Sequence, residues 1–474
     1  MGRWREWAAD RFGWKPLADT VLHRRVASGA WYFGDGATLA LLLGVLVATG
    51  AAMSLTYSPG PETAHESVSR LTHDVILGWF VRALHYWAAG VMVVMLFFHL
   101  FREILVGGYK APREGTWLVG VVMLFLVLAM SFTGYVLRWD ERGFYAARVA
   151  MHTVHNVPVI GERLVLFLQG GDEAGPYMLT RFYAAHVILV PLFLLPLVGY
   201  HLYLVMLHGI TSPTERRQPV ATAEEQRRIY EADKNSPDRG ATFYPATMLQ
   251  SGAMAAVVFA GVVALAVFVG PRDIETEANL VQRSLPAEEW WFWWYSALIA
   301  LLPPWLAPAF VVLFPILAFV ALVLLPFLDR TPHRGIRNRP VWCVIVTACV
   351  VAMLWLTDLR RRSPWTGWPD PEPPPVPAGV ELAPDVERGR QLFARFGCNS
   401  CHPVAGHGRQ VGVDLTALGS PRARDEIRDY VLRPPEGVAM PAYQDQIDSG
   451  RMSREELELI VGFVHVAQTF PRNQ

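Results

Sequence analysis

The chain has 474 residues, of which 52% are hydrophobic and only 18% charged, with 42 basic and 42 acidic side chains in balance. Soluble domains carry roughly 25% charge, so the composition points to a membrane protein, and zero net charge excludes the electrostatic footprint of a nucleic-acid binder. Its 17 Trp and 24 Phe suit interfacial belts and broad apolar packing.

Residues 1–26 mix charge with tryptophan and contain no cleavable signal core. They are expected to form an amphipathic segment on the cytoplasmic face of the membrane. Seven apolar stretches follow, near 37–57, 80–105, 115–137, 180–207, 250–270, 305–328 and 341–357. Each approaches the roughly 20 helical residues needed to cross hydrocarbon, where helices satisfy their own backbone. Basic residues concentrate in alternate connections, including Arg102, Lys110 and Arg113, then Arg216 to Arg239, then Arg330 to Arg339. The positive-inside rule places these loops and the N-terminus in the cytoplasm and the C-terminus outside. The run Arg360–Arg362 opposes the rule locally.

The second span carries His85 and His99, fourteen residues apart, and the fourth carries His186 and His201, fifteen apart. One buried histidine is commonly a helix–helix hydrogen bond, but intramembrane ionisable residues are functional candidates. Both spacings return to nearly the same helix face with an axial rise of roughly 21–22 Å. Pro191 lies between the fourth span's two histidines and can bend or rewind it, easing the longer spacing. The second and fourth spans run the same way, so His85 pairs with His186 and His99 with His201. Two bis-imidazole haem b sites stacked across the bilayer are therefore expected. Gly36 and Gly50 in the first span, and Gly120 and Gly134 in the third, repeat the fourteen-residue spacing. Small residues usually serve helix packing; here the matched pairs also suit porphyrin edges approaching the backbone.

After the seventh span, SPWTGWPDPEPPPVPAG (363–379) reads as an extended spacer, and a small soluble domain follows from about 385. Its CNSCH motif (398–402) spaces Cys398 and Cys401 for haem vinyl groups, with His402 as an iron ligand. A zinc knuckle needs a second ligand pair, whereas the other cysteines, Cys343 and Cys349, lie in the seventh span. Met440 is the leading candidate for the sixth ligand, with Met452 and His407 competing.

The terminal domain resembles a class I cytochrome c through "ERGRQLFARFGCNSCH", "DLTALGS", "MPAY" and "SREELELIVGFV". Residues 1–220 resemble cytochrome b6, and about 240–358 resemble subunit IV, of the bc1/b6f superfamily. The carrying stretches are "VATGAAMSLTYSP", "GGYKAPREGTWLVGVV", "TGYVLRWDERGF", "VPVIGERL" and "LTRFYAAH". The resemblance implies an all-α polytopic protein: a four-helix di-haem domain (1–220), a three-helix domain bearing the quinol loop (221–358), a Pro-rich linker (359–384) and an all-α cytochrome c domain (385–474). It further implies two non-covalent b haems, one covalent c haem and quinol oxidised near the outer surface. Electrons would divide between a partner Rieske iron–sulfur protein and the low-potential b haem.

The family carries Pro-Glu-Trp-Tyr at its quinol site; "LPAEEWWFWWYSALIALLP" supplies Glu289-Trp290-Trp291, with Glu288 in the proline place. A carboxylate among apolar aromatics is disfavoured as the anion and is suited to take a quinol proton. Glu288 is a substitute candidate, and an interfacial acid beside a Trp belt is the alternative. Arg82, one turn before His85, is expected to pair with a haem propionate. His208 is a candidate for an inner quinone site and equally an interfacial histidine.

These features predict a quinol–cytochrome c reductase subunit of a bacterial inner membrane. Its partners would be the membrane quinone pool, a Rieske protein, a soluble or membrane electron acceptor and a second copy in a homodimeric complex. Two rivals stand beside it: a Rieske-independent membrane b/c cytochrome, and a non-catalytic membrane-anchored electron carrier.

Overall fold

The computed structural model describes residues 25–26, 34–155, 157, 160–171, 176–211, 222–234, 241–272, 274, 289–303, 306–362, 373–377, 379–400, 402–407, 413–416, 418, 420–435, 440, 442–448 and 452–470. Residues 1–24 of the segment expected to be amphipathic, most of the Pro-rich spacer, Glu288 and Cys401 lie outside them. Those described form two compact units, one within 1–278 and 286–361 and the other within 362–474.

Seven helices in the first unit are long and apolar enough to cross a membrane: Asp35–Ser54, Gly78–Val106, Glu114–Val136, Tyr177–His208, Phe243–Phe268, Ala309–Leu328 and Pro340–Arg362. The protein is an all-α, multi-pass membrane protein. Its one described strand pairing is a two-residue antiparallel contact of Arg25–Val26 with Ala241–Thr242. The second span is the most enclosed and the sixth the least. Much of the apolar surface thus faces lipid, where helix association depends on packing and polar contacts rather than on water exclusion.

The connections are helical too. Pro61–His73 follows the first span, and Glu141–His155 and Gly161–Gln169 follow the third. They bury Trp139, Phe144, Met151 and Val165 against Met178 and Phe182, forming a cap at one end of the bundle. The second span ends at Gly107, whose φ of 66° closes the helix with bonds to the Glu103 and Ile104 carbonyls. A Cβ there would fall 2.2 Å from Arg339 Nη1, so both the left-handed turn and the close approach require glycine.

The fourth span is wound differently from the other spans that bear the candidate site. Residues Ala185–Leu189 form a π turn directly before Pro191. Proline lacks an N–H and its ring clashes with the carbonyl four residues back, which favours the wider turn. A π turn absorbs one extra residue. The fifteen-residue step from His186 to His201 therefore behaves as fourteen and matches the step from His85 to His99. Pro191 rewinds the helix rather than breaking it.

The second unit is built on the crossing of Pro384–Arg395 with Arg454–Ala467. Phe393 and Phe463 meet edge to face, with ring centroids 5.3 Å apart. Val461, Ile460 and Met452 complete a core in which each fully buried large side chain contributes about 1.5–3 kcal/mol. A Cβ on Gly389 would lie 2.0 Å from the Leu459 carbonyl oxygen, so the helices cross there at backbone contact. Ser453 and Glu456 close the capping box that starts the last helix.

Candidate functional site

His85 and His186 meet across the bundle, their ring centroids 6.4 Å apart and their planes at 66°. Thr49 Oγ1 lies 2.9 Å from His85 Nδ1, and Thr133 Oγ1 lies 3.1 Å from His186 Nδ1. Each threonine hydroxyl donates to a carbonyl of its own helix, Val45 at 2.6 Å and Ala129 at 2.9 Å. The threonine oxygens therefore accept from Nδ1–H, which leaves Nε2 available to a metal in both rings. The centroid separation suits two imidazoles sharing one metal, each with a bond of about 2 Å plus its ring radius. Gly50 and Gly134 make the rings fit. A Cβ would come within 3.3 Å of His85 Cε1 at the first and 2.6 Å of His186 Cε1 at the second.

His99 and His201 line one cavity of about 830 Å³, within the usual range for a bound organic group of about 300–1,000 Å³. Gly36 and Gly120 also line it. A Cβ on Gly36 would meet nothing within 4 Å, and one on Gly120 would lie 3.4 Å from His201 Cε1. Pairing first with first and second with second makes the two histidine-bearing spans parallel. Asp35, fully buried, takes Arg102 Nε at 2.7 Å and Nη2 at 3.0 Å, and lies 3.2 Å from His99 Nδ1. Paired imidazoles, glycine clearances and a porphyrin-sized space form a donor set that fits two bis-histidine haems.

The carboxylate of Glu289 has a different setting from the one its neighbours in sequence suggest. Glu289 is 3% exposed, but apolar rings do not isolate it. Arg138 Nη1 donates to one carboxylate oxygen at 3.1 Å, while Arg272 Nη1 and the Tyr86 hydroxyl donate to the other, both at 3.1 Å. Trp290 and Trp291 instead turn toward Gly90 of the second span, where a Cβ would meet them at 2.8 and 2.9 Å. Burial works against the charge of Arg138, yet Asp140 and Glu289 raise its pKa above the ordinary arginine value. Asp140, fully buried, also accepts from Arg138 Nε at 3.0 Å.

Arg82 donates to the Arg272 carbonyl at 2.6 Å and to Thr72 Oγ1 at 3.2 Å. Trp87 Nε1 donates to the Gly270 carbonyl at 2.9 Å. The second span thereby holds the segment that presents Arg272. His208 closes the fourth span, and its carbonyl lies 3.4 Å from Arg113 Nη2. Met206 and Gly209 line the His99–His201 cavity, whereas His208 does not.

In the second unit, Cys398 opens a short 3₁₀ turn, and the His402 amide closes on the Cys398 carbonyl at 3.0 Å. His402 Nδ1 lies 2.9 Å from the Val413 carbonyl, so Nδ1–H donates and Nε2 is left available to a metal. Met440 is half-buried, while Met452 is 1% exposed within the packed core. His407 is exposed, and its backbone pairs with Val404.

Residues 22–210 match the family model described as cytochrome b/b6/petB, and residues 283–367 match that of cytochrome b(C-terminal)/b6/petD. Cytochrome b6 of Prochlorococcus marinus strain NATL1A is 39% identical over 210 residues, covering 44% of this chain and 96% of that protein. The cytochrome b6 of strain MIT 9303 is 38% identical over the same extent. A solved structure described as hyperthermophilic respiratory Complex III aligns with a TM-score of 0.64 and 25% identity, covering 82% of this chain and 95% of that one.

Proposed function

The chain belongs to the cytochrome b/b6 family, and from that premise we propose that it is the quinol-oxidising subunit of a bc1/b6f-type complex with its cytochrome c acceptor on the same polypeptide. The observation that carries this reading is the 6.4 Å apposition of His85 and His186, each with Nδ1 on a threonine hydroxyl. His85 with His186, and His99 with His201, would hold two b haems; Cys398, Cys401, His402 and Met440 would hold the covalent one. Haems so held supply one-electron carriers.

Quinol would dock beside Glu289, whose carboxylate takes a proton from a quinol hydroxyl. Arg138 and Arg272 keep the site's charge in balance through that step. Once Glu289 is neutral, Arg138 still faces Asp140, so its buried guanidinium keeps a carboxylate partner. Tyr86 fixes the orientation of the carboxylate oxygen it shares with Arg272. A partner Rieske protein would take the other branch of quinol oxidation, within a homodimeric complex fed by the membrane quinone pool. The asymmetry of basic loops and the CNSCH motif support a bacterial inner-membrane protein with a cytoplasmic N-terminus and an extracytoplasmic C-terminal domain. Tethering the acceptor raises its local concentration.

A pyridine haemochrome assay on the purified chain tests the cofactor set: two extractable protohaems for each covalent haem are expected, and absence of protohaem overturns the reading. Quinol-dependent haem reduction with Glu289→Gln tests the site. The double arginine contact favours one second reading, a carrier whose quinol loop no longer takes a proton. An unchanged rate in that variant would overturn the proton-acceptor role of Glu289, and absence of quinol-dependent haem reduction in the wild-type chain would favour the carrier.

A further inference from the structure

We propose that Asp35 sets the reduction potential of the haem held between His99 and His201, lowering it relative to the same site with a neutral partner. This rests on the haem reading above. At the other tier, His85 and His186 face only uncharged partners among the described residues, threonine hydroxyls at Nδ1 and the backbone of Leu46 and Met130. His99 instead faces a carboxylate at 3.2 Å. The two tiers differ in the charge of what their ligands touch.

Asp35 is fixed in that position. It opens the first span and is fully buried, one oxygen accepts the Gly36 amide at 2.8 Å, and Arg102 grips the carboxylate with two nitrogens. Arg102 is itself shared with Glu103 at 2.8 Å. With Nε2 committed to iron, His99 Nδ1 carries the proton and must donate. Arg102 Nη2, also 3.2 Å from that nitrogen, is a donor and cannot receive it, so Asp35 is the acceptor. A carboxylate acting through the distal N–H raises the basicity of the imidazole, which favours the oxidised metal over the reduced one. A buried negative charge near the metal acts in the same direction.

The test is potentiometric titration of the assembled protein with Asp35→Asn, which keeps the size and removes the charge. One b haem is expected to become easier to reduce by about tenfold or more, equivalent to about 59 mV for one electron, while the other b haem stays at its wild-type midpoint. Two unchanged midpoints at full haem content would overturn the proposal. Should Asp35→Asn fail to retain that haem, nitrogen NMR of the reduced wild-type protein decides, because reduced bis-imidazole haem is diamagnetic. Resonances assigned through Thr49→Val and Thr133→Val are expected to lie apart from a further downfield His99 Nδ1. A His99 signal grouped with the threonine-bonded pair would overturn the proposal. A wild-type chain with no haem at that tier would instead overturn the haem reading, and this proposal with it.

Discussion

Arg138 Nη1 reaches Glu289 Oε1 at 3.1 Å, joining the turn after the third span to the loop ahead of the sixth. Glu289→Gln is expected to slow quinol-dependent haem reduction by about 10²-fold or more, the usual contribution of a positioned general base, with haem content unchanged. Arg138→Gln removes the cation shared by two buried carboxylates, and breaking such a pair costs about 3–5 kcal/mol. Its thermal transition in detergent is expected to fall together with the rate. Stopped-flow reduction and a melting curve on both variants check the two expectations.

Two glycines distinguish polypeptide packing from cofactor packing. Gly134→Ala sets a Cβ 2.6 Å from His186 Cε1 and must displace the ring. Loss of the haem between His85 and His186 is expected even though the helices persist by circular dichroism. Gly36→Ala meets no protein atom within 4 Å, so the chain alone has no reason to resist it. Loss of the other b haem from a fully folded Gly36→Ala protein, read by haemochrome stoichiometry, would mark that space as the porphyrin's. Full retention of both haems in Gly134→Ala would contradict the ring contact.

The spans and histidine tiers were legible because each depends on local composition or on helical period. The electrostatics around Glu289 were not. Arg138 and Arg272 lie far in sequence from Glu289, and nothing near "AEEWW" reveals them; the neighbouring tryptophans suggested an apolar setting, but those rings turn to Gly90. The threonines that orient His85 and His186, and Asp35 beside His99, were equally hidden, because a hydroxyl or carboxylate at a helix position carries no sign of its partner. Pro191 was visible as an interruption, yet only the π turn at Ala185–Leu189 shows that it restores the histidine register.

The end of the second span is tied to the loop after the sixth by a buried ionic cluster, and its pH response has a definite sign. Asp329 accepts from Tyr109 at 2.5 Å and Arg339 at 2.7 Å, with Lys110 Nζ 3.0 Å away. Burial alone would raise the Asp329 pKa, but hydrogen bonds from Thr331, Tyr109 and Lys110 outweigh it and hold the carboxyl well below its usual range. A depressed carboxyl stabilises the fold above its unfolded pKa of about 4 and loses that contribution as pH falls toward the folded value. Asp329→Asn is expected to cost about 3–5 kcal/mol near neutrality, since it strands buried Lys110 and Arg339. The gap between the melting temperatures of wild type and variant should be widest above about pH 4 and close below it. A gap that widens in acid would contradict the cluster's assignment.

Two methionines in the terminal unit compete for one role, and their burial separates them. Met452 is 1% exposed and packs in the core with Phe393, Leu457 and Phe463, so its side chain is committed to the fold of the unit. Met440 is half-buried and outside that cluster. Truncating Met452 to Ala removes core contacts and is expected to destabilise the unit by about 2–5 kcal/mol, leaving the potential of the covalent haem in place. Truncating Met440 to Ala is expected to do the reverse. Thioether ligation raises the potential of a histidine-ligated haem, so its loss should lower the midpoint while the melting transition moves little. Denaturant titration and potentiometry on the two variants check this, and a midpoint that falls in Met452→Ala but not in Met440→Ala would exchange their roles.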